Sequence, residues 1–224
     1  MTAVATNLAE VRLRIRDAAE SCGRTAAEVL LVAVSKTHGP DAIRSAYEAG
    51  QRDFGENYAQ ELAEKAAALE DLDGIRWHFI GHLQSNKAKL VAPVAAVVQS
   101  VDSAKLAAEL SRAAIRCGRS IRCLVQVNVG EEPQKSGCAA EDVEPVLEAV
   151  ERAPGLALEG LMTLPPFDLD ADETRVHFRA LARLRESHGG AARLPHLSMG
   201  MSQDYQVAVE EGATLLRIGT AIFG

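Results

Sequence analysis

Lys36 closes the run LVAVSK, residues 31–36 of a chain of 224. Desolvating an ammonium beside so apolar a stretch is costly. A lysine held in such surroundings loses basicity and becomes an amine nucleophile, the property that condensation with a carbonyl requires. The alternative is a lysine that reaches the rim and pairs with Glu56 or Asp102. Far along the chain, SMGMS (198–202) and RIGTAIFG (217–224) each combine a glycine with hydroxyls, Ser198 and Ser202 in one and Thr220 in the other. Glycine lets backbone N–H groups approach an anion closely, so the two loops suit a phosphate. Arg217 stands two residues before Gly219, which puts both on one face of a strand. A buried arginine needs a partner, either a carboxylate or an acceptor on a ligand.

These residues need elements to position them. Leu8, Val11, Ile15, Ala18 and Cys22 recur at helical spacing and predict a leading helix over residues 1–23. Apolar runs at 30–36, 52–56, 76–81, 96–102, 122–129, 158–164, 195–200 and 215–223 predict eight strands separated by helical patterns. Strands rich in Val, Ile and Leu with little alternation are buried on both faces, which indicates a parallel sheet. Eight βα units in this length predict a closed (β/α)8 (TIM) barrel, α/β in class, with an extra N-terminal helix and one domain over 1–224. A doubly wound open sheet is the rival, but the turn SKTHGPD lacks the glycine fingerprint expected of it. Barrel chemistry sits at the C-terminal ends of the strands. Those ends carry Lys36; Glu56 and Asn57; His82 and Gln84; Asp102; Asn128; Thr163; Ser198; and Arg217 with Thr220. Asp102 is expected to cap the following helix, and Ser202 to be the N-cap of the helix after strand 7, whose positive end would face an anion. Barrels often hold phosphate between the loops after strands 7 and 8. An amine, an arginine and a phosphate cradle together fit a ligand with an aldehyde, an acceptor ring nitrogen and a phosphate, and pyridoxal 5′-phosphate has all three.

Composition narrows the field. A net charge of -7 argues against broad binding to nucleic acid or anionic membranes, without forbidding a local anion site. The four cysteines show no metal spacing and read as reduced thiols of a cytosolic protein. The charged N-terminus has no apolar signal core, and no stretch approaches the roughly 18 apolar residues of a membrane span. No HExxH, Cys/His cluster or GxSxG is present, so neither a metal nor a serine nucleophile is expected. Trp77 and Phe79 alternate with His78 and are expected to pack.

The segments VAVSKTH, DFGENYAQE, WHFIGHLQSNK, VQVNVGEEPQKSG, GLMTLPP, LSMGMSQDY and RIGTAIFG, in this order, resemble the YggS/PROSC family of pyridoxal phosphate homeostasis proteins from about residue 7 onward. The resemblance implies a single barrel like the N-terminal domain of alanine racemase. It implies Lys36 as the Schiff-base lysine, Asn57 beside the cofactor, Ser198, Gly219 and Thr220 on the phosphate, and Arg217 facing the pyridine nitrogen. Members of that family continue a few residues past IFG with a further Arg and Tyr, whereas this sequence stops at Gly224.

Arginine keeps its proton and so does not protonate the ring. An unprotonated ring is a poor electron sink, which disfavours carbanion chemistry. The expectation is therefore a cytoplasmic, monomeric carrier that buffers pyridoxal phosphate or delivers it to dependent apoenzymes, with no established catalytic residue. A racemase using His82 or Tyr58 as base is the first alternative. A class I aldolase using Lys36 directly on a phosphorylated sugar is the second.

Overall fold

The computed structural model describes residues 2–132, 134–166 and 168–224. Eight parallel strands close in sequence order, β1 (Leu30–Val34), β2 (Asp53–Glu56), β3 (Arg76–Phe79), β4 (Val97–Val101), β5 (Ile121–Gln126), β6 (Leu156–Met162), β7 (His196–Ser198) and β8 (Leu215–Ile218), with β8 returning to β1. The expected TIM barrel is present. Helices α1 (Ala3–Ser21), α2 (Pro40–Glu48), α3 (Ala59–Ala68), α4 (Ala88–Val91), α5 (Ala104–Arg116), α6 (Val143–Glu151), α7 (Ala171–Ser187), α8 (Gly190–Arg193), α9 (Tyr205–Glu210) and α10 (Thr220–Phe223) surround it.

The two-residue period of a strand sorts the apolar side chains into two cores. One set faces the helices and includes Ala33, Phe54, Trp77, Phe79, Val98, Val125, Leu161, Leu197 and Leu216. The other fills the lumen with Val32, Val97, Leu124, Met162 and Leu215. By the same alternation Asp53, His78, Gln99, Ser198 and Arg217 fall on the lumen side. Trp77 and Phe79 pack as expected, Trp77 tilted against Phe54 at 5.9 Å between ring centres.

Three local expectations need correction. The apolar run 215–223 is a strand only to Ile218; Gly219 breaks it and residues 220–223 form α10. Ser202 is not an N-cap: α9 starts at Tyr205 after Asp204, whose carboxylate instead accepts from the Met201 N–H at 2.6 Å. Asp102 does not cap α5. Ser103 does, its hydroxyl accepting from the Leu106 N–H at 3.3 Å, because a residue immediately before the first helical turn reaches that N–H and one further back does not.

The leading helix is tied to the end of the barrel wall. Leu8, Val11 and Ile15 are buried along one face. Asn7 donates to the Ile222 carbonyl at 3.1 Å, and Arg24 donates to the carbonyls of Val209 and Ala213 at 2.7 and 2.9 Å. Helix α1 and the turn that follows it thereby brace α10 and α9. All four cysteines are unpaired. Leu8 is fully buried, so Leu8→Ala is expected to cost about 3 kcal/mol. Urea unfolding should show this as a lower midpoint with an unchanged slope.

Candidate functional site

The rim of the barrel brings the two ends of the chain together. Strands β1 and β8 pair through Ala33 and Ile218. One residue beyond, a Cβ on Gly219 would lie 3.2 Å from the Val34 carbonyl oxygen, so the two backbones run in close contact where the strands end. Lys36 follows in the turn, exposed, and His38 stacks on Phe223 of α10 at 5.1 Å. The loop after β7 joins from the other side. Its Gly200 carbonyl accepts from the Arg217 N–H at 3.0 Å. Gly200 has φ +94°, and a Cβ there would meet Ala208 at 2.6 Å and Leu216 at 2.9 Å, so this loop requires glycine. Ser202 reaches α10 and accepts from the Ala221 N–H at 3.2 Å. The amine turn, Gly219 with Thr220, and the Gly200–Ser202 loop are thus consecutive around the rim.

Ser198 takes a different place from Ser202. It lies wholly buried inside the lumen, donating to Gln99 Oε1 at 2.6 Å and accepting from Arg217 Nη1 at 2.5 Å. At the rim the serine hydroxyl beside α10 is that of Ser202. The sequence pattern offers both Ser198 and Ser202 to a phosphate, and the family resemblance implies Ser198; the strand's alternation, with Leu197 and Met199 on the helix side, is the signal that separates their places. Arg217 is 3% exposed. Its second arm donates to the Thr163 carbonyl at 2.7 Å. Burial lowers its pKa to about 10, with Asp204 opposing the shift, so it remains a cation at neutral pH.

Lys36 is not enclosed, which corrects the expectation that apolar surroundings desolvate it. The buried lysine is Lys65 of α3, which sequence reasoning missed. It donates to Glu56 at 2.8 Å, to Glu61 at 2.7 Å and to the Ser35 carbonyl at 2.6 Å. Glu56 also accepts from the Ser35 hydroxyl at 2.6 Å, and Glu61 accepts from the Thr37 N–H at 2.8 Å. Thr37 holds φ +65°, an unusual conformation for a β-branched residue. The cluster therefore grips both neighbours of Lys36 and leaves Lys36 itself available. Burial raises the Glu56 pKa, with Lys65 and Ser35 pulling it back.

Other candidates disperse. Asn57 is half-buried directly after β2. Asn128 closes its own turn, donating to the Glu132 carbonyl at 2.8 Å. Tyr58 is exposed at the start of α3. His82 faces Ser136 at 3.1 Å and Asp102 at 3.8 Å, both through Nδ1, so the three do not form a relay through the ring. A recess of about 520 Å³ at the ends of β3 and β4 contains His82, Asp102 and Lys105 but none of Lys36, Arg217 or Thr220. No group of three or more metal-binding side chains is found among the described residues.

The closed βα barrel is the fold of the alanine racemase N-terminal domain, and the model of that family matches residues 6–224. A pyridoxal phosphate homeostasis protein of Pseudomonas aeruginosa is 48% identical over all of this chain and 96% of its own length. PipY of Synechococcus elongatus is 39% identical without its ligand, with TM-score 0.89, and 40% identical with pyridoxal phosphate bound, with TM-score 0.85; each alignment covers 99% of this chain and all of that one. Alanine racemase of Corynebacterium glutamicum, 19% identical with TM-score 0.67 over 99% of this chain and 60% of that one, shares the fold. The chain belongs to the YggS/PROSC family of pyridoxal phosphate homeostasis proteins.

Removing Lys65 leaves Glu56 as an uncompensated buried carboxyl, so Lys65→Met is expected to cost about 3 kcal/mol or more in denaturant unfolding at pH 7. Asp53 adds a pH dependence. Burial alone raises its pKa, but hydrogen bonds from His78 and Arg76 outweigh that and hold it below the usual range. Its contribution to stability is full above its unfolded value of ~3.9 and is lost as pH falls through the lower folded value. Asp53→Asn should flatten the acid limb of a stability-versus-pH curve.

Proposed function

We propose that this chain binds pyridoxal 5′-phosphate at the rim between β1, β8 and β7, and that it buffers the cofactor and hands it to dependent apoenzymes. The contact of the turn bearing Lys36 with α10, through the His38–Phe223 stack and the close approach of Gly219 to Val34, supports the reading, because that turn and the segment bearing Thr220 are packed together. The donor set suits the group. When bound, pyridoxal phosphate supplies an aldehyde that condenses reversibly with an amine, a ring nitrogen that accepts a hydrogen bond, and a phosphate. Lys36 would provide the amine. Thr220, Gly219 and Ser202 would hold the phosphate, with Asn57 beside the ring. Ser198 would act through Arg217 instead of on the phosphate.

Arg217 would address the ring nitrogen. It donates hydrogen bonds and holds its proton, so it orients the ring without protonating it. This favours holding over turnover. The relatives' printed names support the homeostasis role. A soluble, cytoplasmic monomer is the form we propose. No described helix is long and apolar enough to cross a membrane, and the exposed large apolar residues Leu13, Tyr58, Ile115 and Val176 come from four separate segments.

Borohydride reduction of the loaded protein followed by peptide mass spectrometry should place the pyridoxyl group on Lys36. Lys36→Ala should lose the visible absorption of the lysine-bound cofactor. Release of α-proton label from D- or L-alanine at a steady rate would contradict the carrier reading. Ser202→Ala should weaken binding about tenfold, the scale of one hydrogen bond to a charged group, and fluorescence titration measures it.

A further inference from the structure

A continuous chain of buried side chains crosses the barrel lumen below the rim. Arg217 Nη1 lies 2.5 Å from Ser198 Oγ, Ser198 Oγ 2.6 Å from Gln99 Oε1, Gln99 Nε2 2.9 Å from His78 Nδ1, and His78 Nε2 3.0 Å from Asp53 Oδ1. All five residues are less than 5% exposed. Arg76 closes the far end with hydrogen bonds to both Asp53 oxygens.

The chemistry of the two ends fixes the direction of every link. A guanidinium only donates, so Ser198 must accept from Arg217 and pass its own proton toward Gln99. An ionised carboxylate only accepts, so the His78 proton sits on Nε2. The neutral ring then offers its Nδ1 lone pair to the Gln99 amide N–H, and the Gln99 carbonyl meets Ser198. Four hydrogen bonds run one way, from the cation to the anion. Burial lowers the His78 pKa against the pull of Asp53, in keeping with a neutral ring. A second proton on the ring would turn Nδ1 into a donor and force the Gln99 amide to flip. Ser198 would then face two donors, with no acceptor in the chain for its own proton.

We propose that Gln99, His78 and Asp53 are positioning residues for Arg217: the one-way chain keeps the Ser198 oxygen turned toward the guanidinium, and so fixes the arm that meets the ring nitrogen of bound pyridoxal phosphate. This rests on the functional reading above for the identity of the ligand, but the chain and its direction do not. Because the links are coupled, a ligand that engages Arg217 must be felt at His78, and a change at Gln99 must be felt at the ligand.

The test uses the full chain with the His78 ring labelled with ¹⁵N. Without ligand, the ring nitrogens should report the neutral Nε2–H form. Gln99→Leu cuts two links and should shift Nδ1 toward an unbonded value. Adding pyridoxal phosphate should move the His78 resonances in the wild type and not in Gln99→Leu. The variant should still bind the cofactor on Lys36, with a displaced visible band and release to a scavenging apoenzyme accelerated about tenfold, the factor lost with one hydrogen bond to a charged group. Should Gln99→Leu fail to fold, Gln99→Met, of nearly the same length, makes the same cut. A wild type that takes up no pyridoxal phosphate defeats the functional reading while the ligand-free spectra still judge the chain. A wild type that binds the cofactor with His78 unmoved, or a variant with an unchanged band and release rate, overturns the inference.

Discussion

The structure turns on one buried positive charge. Arg217 sits inside a closed barrel whose other lumen residues include Val32, Leu124, Met162 and Leu215. A cation taken from water into such surroundings is costly unless its hydrogen bonds are met. Among the described residues its side-chain hydrogen bonds go to Ser198 and to the Thr163 carbonyl, both neutral oxygens. Asp204 acts on it through space, and the polar chain that begins at Ser198 ends on the carboxylate of Asp53. A guanidinium held in this way is fixed in place and short of a strong acceptor, which is the condition of a residue waiting for a ligand atom.

Around that charge the rim divides labour between the two ends of the sequence. The first strand delivers Lys36, and the cluster of Lys65, Glu56 and Glu61 grips Ser35 and Thr37 without touching Lys36. The last two strands deliver the hydroxyls and glycines. Helix α1 braces α10 from outside through Asn7, and Arg24, just beyond the helix, ties α9 and the turn after it. Barrel closure is what sets the end of β1 against Gly219 and His38 against Phe223, so this part of the rim exists only in the closed fold.

The architecture was legible because parallel strands buried on both faces leave a plain pattern of apolar runs, and because strand ends mark the active face of a barrel. That rule put Lys36, Arg217 and Thr220 at strand ends, and the structure places them at the ends of β1 and β8. The short-range details did not. Whether residues 220–223 continue a strand or turn into α10 depends on how the barrel closes, since Ala, Ile and Phe serve either form. Ser198 and Ser202 have the same chemistry and differ only in which way the backbone turns at Gly200. Lys65 reads as an ordinary solvent-facing helix residue until packing places it over Glu56. The lumen chain was hidden for a related reason. Asp53, His78, Gln99 and Ser198 lie on four strands, and only closure sets them in line.

Conversely, the enclosure expected for Lys36 is absent, since a turn beyond a buried strand can open outward. Its availability comes instead from neighbours that are held while it is left free. That arrangement suits reversible attachment, in which the amine must be reached and released.

On the reading proposed above, the first-strand amine, the buried arginine and the rim of the last two strands form one binding site. A crystal structure of the protein grown with pyridoxal phosphate tests it most directly. Electron density should be continuous with Lys36 Nζ, with the ring nitrogen facing Arg217 and the phosphate against Ser202, Gly219 and Thr220. Cofactor density on another lysine, or a phosphate lodged in the recess beside His82 and Lys105, would contradict it.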